Sequence, residues 1–261
     1  MRERKYTGLS KDEIYLISRL EFEKEKLITT HFARKLFPNS NKASKVISSL
    51  LRKRRIICLE KGKYLPIPLK APNQQWFPNE FVVADLWMGE IPYYIGYFTM
   101  YNYWGFTEQV PQTVFVLNTK KSCKKVIGNV RYQAVKIDQK KYYGIEKVKI
   151  DEAKVCISDK ERTLVDFIYN PIGSFENIET VLRDNIKKIN LDKFIRYLKQ
   201  FPVVSVRKRA GFLLEKLGCN ALFLSKLKRA IGNKQTYIVL NPTNKSRKGK
   251  VNKEWKIIVN R

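Results

Sequence analysis

Apolar residues in the first quarter of the chain recur with helical period in three successive stretches, and then alternate. Ser10-Lys11-Asp12-Glu13 has the form of a capping box, in which a hydroxyl and a carboxylate each satisfy an orphan backbone N–H, and Ile14, Ile17 and Leu20 follow on one face. Thr29 is placed to cap a short second helix that gathers Phe32, Ala33 and Leu36. It ends at Phe37-Pro38, because proline disfavours helical backbone in the residue before it. After a tight turn through Asn39-Ser40, the residues Ala43, Val46, Ile47, Leu50 and Leu51 predict a third helix with one dry face. Lys42, Ser44, Lys45, Ser48, Ser49 and Arg52 fall opposite. Ile56–Glu60 and Tyr64-Leu65 flank Lys61-Gly62-Lys63, which reads as a hairpin with lysines at its tip. Three helices and a basic hairpin predict a winged helix-turn-helix over residues 1–68.

Prolines 66, 68 and 72 fix backbone angles and withhold donors, so a connector is expected over residues 66–78 and a second domain over 69–261. The pattern of that domain is mixed. Tyr97, Met100, Tyr101 and Trp104 make a helical stripe stopped by Gly105. Strands are predicted at Thr113–Leu117, Val126–Ile137, Tyr142–Ile150 and Val155–Ile157. Ser158-Asp159-Lys160-Glu161 is a second capping box, opening a helix that ends at Asn170-Pro171. Helices follow at 178–186, 191–198, 205–218 and 221–231, then two strands, Thr236–Leu240 and Trp255–Val259, around a basic loop. No internal repeat is present. The fold class expected is α/β in the α+β sense, a winged helix-turn-helix followed by a mixed α/β domain.

Charge sharpens this picture. The formal net charge is +28, a surplus that repels itself and calls for an anionic partner, nucleic acid first. It is unevenly spread, since residues 71–119 hold no Lys or Arg but do hold Glu80, Asp85, Glu90 and Glu108. Short Ser40, Asn41, Ser44 and Ser48 allow close approach to a major groove, with Lys42, Lys45 and Arg52 reaching phosphates or guanine edges. Lys61 and Lys63 would hold the neighbouring phosphates. The competing reading of the same module is a protein-contact surface, because fold does not fix function. Arg207-Lys208-Arg209, with Arg247 and Lys248 in the later basic run, form a candidate second basic patch.

Other chemistries leave weaker traces. Asp138, Glu152 and Lys154 spell the acid and E-x-K elements of a metal-dependent nuclease, the rival reading, although E-x-K recurs by chance in so Lys-rich a chain. The aromatic run Trp76–Phe106 could stack bases, yet it lacks cations and reads as core. His31 is the only histidine and has no nucleophile or ligand set beside it. Cys58, Cys123, Cys156 and Cys219 show no C-x-x-C spacing, which suits reduced cytoplasmic thiols and argues against a zinc module. With no glycine-rich phosphate loop and no catalytic triad pattern, neither enzyme activity nor a cofactor or metal is expected. The charged start Met1–Lys5 and the interrupted apolar run Phe81–Phe106 predict neither export nor a membrane span.

Five stretches together resemble a known family. Thr107–Pro111, Ile157–Asp166, Arg209–Glu215, Leu240–Pro242 and Trp255–Asn260, in this order behind the predicted winged helix, resemble the AbiEi antitoxins of abortive-infection, type IV toxin-antitoxin systems. The likeness spans nearly the whole chain. It implies a transcriptional autorepressor that binds inverted repeats in its own promoter, with a C-terminal domain that counters a nucleotidyltransferase toxin, a stable complex with that toxin not being assumed. Tyr97–Met100, where the family often has Ser-Ala, and Asn241, where Asp is expected, depart from the pattern.

Overall fold

The computed structural model describes residues 8–69, 76–171, 175–242 and 244–260. The charged start Met1–Lys5 and Pro72 of the expected connector lie outside them. The chain packs into two compact units, Met1–Gly89 with Lys125–Tyr132, and Glu90–Lys124 with Gln133–Arg261. The class is mixed, with helices and several sheets.

In the first unit, α1 (Lys11–Phe22) begins at the Ser10 capping box, with Glu13 N donating to Ser10 Oγ at 3.3 Å and Ser10 N donating to Glu13 Oε2 at 2.6 Å. β1 (Ile28–Thr29) leads into α2 (Thr30–Leu36), whose Thr29 cap accepts from Phe32 N at 3.0 Å. α3 (Ser40–Arg52) follows at once and is capped by Asn39. β2 (Ile56–Glu60) and β3 (Lys63–Pro66) form the expected hairpin, and β1 adds to it in the antiparallel order β1-β3-β2. Two-residue β1 has no periodicity of its own to reveal it.

Leu16, Ile17 and Leu20 of α1 meet Ala33 of α2 and Ala43, Val46, Ile47 and Leu50 of α3 in one buried cluster closed by Ile28, Phe37 and Ile56. Burial of such side chains is worth about 1.5–3 kcal/mol each, so this cluster fixes the attitude of α3. Glu13, 1% exposed, adds a polar clamp, its carboxylate taking Lys53 Nζ from the far end of α3 at 2.6 Å. α4 (Glu80–Met88) completes the unit together with the hairpin tip 125–132, where Tyr132 donates to the Glu80 carbonyl at 3.2 Å and stands edge-on to Trp87.

After α4 come β4 (Tyr93–Ile95), α5 (Phe98–Tyr103), β5 (Thr113–Asn118), β6 (Cys123–Ile127), β7 (Val130–Lys136), β8 (Ile145–Ile150) and β9 (Ala153–Ser158), all of the second unit except the β6 and β7 residues within 125–132, which belong to the first. They form a sheet in the order β6-β7-β5-β4-β9-β8, antiparallel at β4–β5 and β8–β9 and parallel at β4–β9. The single strand expected over Val126–Ile137 is two strands: Gly128, at φ +60°, turns the chain between β6 and β7. Next come α6 (Lys160–Tyr169), α7 (Phe175–Asn185), α8 (Leu191–Gln200), α9 (Val204–Lys216) and α10 (Ala221–Ile231). A small sheet of β10 (Ile238–Val239), β12 (Ile257–Val259) and β11 (Lys250–Asn252), in that order, ends the chain. Trp255, 1% exposed, packs flat on α9, where a Cβ at Gly211 would lie 2.0 Å from its Cζ3. Glycine is required there by close approach.

Candidate nucleic-acid interface

α3 is shaped by its sequence into two unlike faces. Asn39 accepts from Lys42 N at 2.8 Å and so satisfies a donor of the first turn, and Asn39, Ser40 and Asn41 at this end are exposed. Ala43, Val46, Ile47 and Leu50 are buried, whereas Ser40, Asn41, Lys42, Ser44, Lys45, Ser48 and Arg52 are all exposed. The seven residues singled out from spacing thus share one solvent-facing surface about 20 Å long, at 1.5 Å per residue over 13 residues.

Their cations are not equivalent. Lys42 Nζ pairs with Asp12 of α1 at 3.0 Å and stands over the Phe37 ring at 5.7 Å. Arg52 Nη2 donates weakly to Ser49 Oγ at 3.4 Å. Lys45 has no ion pair among the described residues. Asp12 is the site residue that sequence reasoning missed, because it was read only as part of a cap. Neighbouring charges across a helix packing were not predictable from one helix's period.

The hairpin separates the two lysines placed at its tip. Lys61 lies in the turn and is exposed, and Gly62 beside it takes φ +86°. Lys63 instead starts β3, is half-buried, and faces Glu60 at 3.9 Å. The turn is tied to the second helix through Thr30 N, which donates to the Gly62 carbonyl at 2.9 Å.

The second basic patch divides. Arg207, Lys208 and Arg209 are buried in α9, at 9%, 2% and 7% exposure. Each donates to the chain's own carbonyls: Arg207 Nη1 to Lys199 and Phe201, Lys208 to Lys234 and Thr236, Arg209 Nε to Val239, the Arg207 Nε being left without a partner among the described residues. Burial lowers the pKa of all three, and for Lys208 the neighbouring Lys256 and Lys234 add to it. They are therefore internal braces and not surface cations, a correction to the reading from charge alone. Arg247 and Lys248 remain exposed, in the loop before β11.

The acids and lysine of the nuclease reading serve locally. Asp138 accepts from Lys140 N at 2.7 Å as the cap of a 3-10 turn, and Glu152, 90% exposed at its side chain, lies 3.7 Å from Lys149. Lys154 is exposed on β9. Among the described residues no three His, Cys, Asp or Glu side chains converge as metal ligands. His31 is exposed on α2, and the four cysteines are free thiols, Cys123 exposed and the others half-buried. In the aromatic run, Phe81, Trp87, Tyr93, Tyr94, Tyr97, Tyr101 and Phe106 are buried, Phe77, Phe98 and Trp104 are half-buried, and Trp76 and Tyr103 are 37% and 46% exposed. The buried rings are core. No helix among the described residues is long and apolar enough to cross a membrane.

The stretch Ile157–Asp166 turns inward. Asp159, and not Ser158 as the capping box suggested, caps α6 by accepting from Arg162 N at 2.8 Å, while the Ser158 hydroxyl meets that of Thr163 at 2.8 Å. Arg162, wholly buried, binds Asp166 through Nε at 3.1 Å and Nη2 at 2.9 Å, donates to the Tyr94 hydroxyl at 3.0 Å, and lies 4.5 Å from the Tyr143 ring centre. Burial disfavours the guanidinium charge, but Asp166 outweighs it and holds Arg162 protonated. This motif ties α6 to β4 and does not face solvent.

No family model and no curated protein matches the chain. Among solved structures, the crystal structure of the RV2827C protein from Mycobacterium tuberculosis is similar, with a TM-score of 0.62 at 13% identity, over 96% of this chain and 92% of that one. At that identity the likeness concerns the fold alone.

Proposed function

We propose that the first unit is a winged helix-turn-helix that binds duplex DNA, with α3 in the major groove and Lys61 on a flanking phosphate. The observation that carries the reading is the segregation on α3: Ser40, Asn41, Lys42, Ser44, Lys45, Ser48 and Arg52 are exposed and Ala43, Val46, Ile47 and Leu50 are buried, with Ser49 and Leu51 half-buried between the two faces. Short hydroxyl and amide side chains at 40, 41, 44 and 48 leave the helix axis free to approach base edges, and Lys42, Lys45 and Arg52 supply the charge that phosphates attract. The net charge of +28 points the same way. Lys63, half-buried near Glu60, takes the smaller share of the wing contact.

The biological reading follows the sequence resemblance to AbiEi antitoxins: a cytoplasmic autorepressor acting on inverted repeats in its own promoter, and an antitoxin against a nucleotidyltransferase toxin. A gel-shift titration with the promoter upstream of this gene tests the first half. Preferential retardation of the promoter supports it, and no binding at low salt favours a protein-contact module instead. Co-expression with the nucleotidyltransferase of the same operon tests the second, with rescued growth as the expected result.

A further inference from the structure

The C-terminal basic run is built as a fixed loop. Lys245, Arg247, Lys248 and Lys250 are all exposed, with only Ser246 and Gly249 between them. Between Val204 and Asn260 the only carboxylates are Glu215 and Glu254, and both are engaged by Lys228, at 3.8 Å and in a shorter contact respectively. None of the four loop cations has an ion pair among the described residues. Their mutual repulsion is thus left without a compensating carboxylate.

The loop is nonetheless held in one shape. Asn260, 2% exposed, donates to the carbonyls of Asn241 at 3.0 Å and Ser246 at 2.7 Å, and accepts from Asn241 N at 2.9 Å. Ser246 N donates to Asn244 Oδ1 at 2.8 Å, and Lys250 enters β11 opposite Val259. A Cβ at Gly249 would lie 2.1 Å from the Val259 carbonyl oxygen, so only glycine lets the loop close onto β12.

A clustered charge that is braced and left without counter-ions is arranged for an external anion. The run 244–250 contains no apolar or aromatic side chain, which a protein interface would need as an anchor and base stacking would need as a platform. We propose that Lys245–Lys250 is a second docking element for duplex DNA, one that grips the phosphodiester backbone without reading bases. It does not depend on operator recognition by α3.

The test uses full-length protein and a random-sequence 30-bp DNA duplex, with a single-stranded 30-nucleotide RNA in parallel, by fluorescence anisotropy across a salt series. The comparison is K245Q/R247Q/K248Q/K250Q against parent, made also in a K45A/R52A background that disables α3. Each neutralised phosphate contributes about 0.9 to the slope of log affinity against log salt, so loss of four contacts lowers the slope by about 3 to 4 and weakens low-salt binding by at least about tenfold. This loss should persist in the α3-disabled background, and a larger loss for the RNA than for the duplex overturns the assignment to DNA. Asn260→Ala keeps every charge but frees the loop, and a smaller loss of affinity at unchanged loop charge is expected. An unchanged slope in the loop variant overturns the proposal, as does displacement of the duplex by poly-glutamate at equal charge. Loss of promoter preference in K45A/R52A alone bears only on α3.

Discussion

Substituting Glu13 by Gln should loosen the attachment of α3 and thereby test how the helix is held. Burial pushes the Glu13 carboxyl up, but Lys53 Nζ at 2.6 Å, the Ser10 N–H and the Ser49 hydroxyl outweigh it and bring its pKa from 4.5 down to about 2. Because the folded value is depressed, the stabilisation is present above pH 4.5 and is lost as pH falls toward 2. At about 1.4 kcal/mol per unit, the ionised carboxylate contributes roughly 3 kcal/mol at pH 7 and roughly 1.5 kcal/mol at pH 3. Glu13→Gln should therefore cost on the order of 3 kcal/mol at pH 7, roughly 10–20 °C in Tm for a unit of this size. A urea titration read by hydrogen-exchange mass spectrometry on peptides covering α1 and α3 isolates the effect from the second unit. A penalty under about 1 kcal/mol at pH 7, or one equally large at pH 3, would refute the clamp.

Asp166→Asn should destabilise the second unit by about 3–5 kcal/mol, since it leaves the buried Arg162 charge without its carboxylate; calorimetry measures this, and a double substitution to apolar residues of similar volume should recover part of the loss. Gly211→Ala should cost at least about 1–3 kcal/mol, because the indole of Trp255 is rigid and cannot yield to a Cβ placed 2.0 Å away; a red shift of the Trp fluorescence at lowered urea midpoint reports it. Lys45→Ala should weaken promoter binding and lower its salt slope by about 1, which anisotropy in a salt series reads directly.

The sequence made some of this architecture legible and hid the rest for physical reasons. α1, α2 and α3 were plain because each buries one stripe against the same small core, so the 3.6-residue period survives in the sequence. α4 was hidden: Phe81, Val82, Val83, Ala84, Trp87 and Met88 are all buried, and a helix covered on most sides shows no period. The break between β6 and β7 rested on one glycine at positive φ inside an otherwise continuous β pattern. Arg207-Lys208-Arg209 looked like surface charge, but successive helix residues point about 100° apart, so three in a row on a packed helix send at least one inward; here all three find carbonyls. Most of the α3 face was readable, though Ser49, expected on it, is half-buried and bonds the Glu13 carboxylate, while Asp12, its neighbour from α1, became visible only once the helices were packed.

The central claim is that the exposed face of α3 reads duplex DNA, and affinity for the gene's own promoter measured beside a shuffled duplex of equal length and charge tests it most directly. The account predicts a preference for the promoter of at least about a thousandfold at physiological salt, abolished by K45A/R52A. Equal affinity for the two duplexes would contradict it.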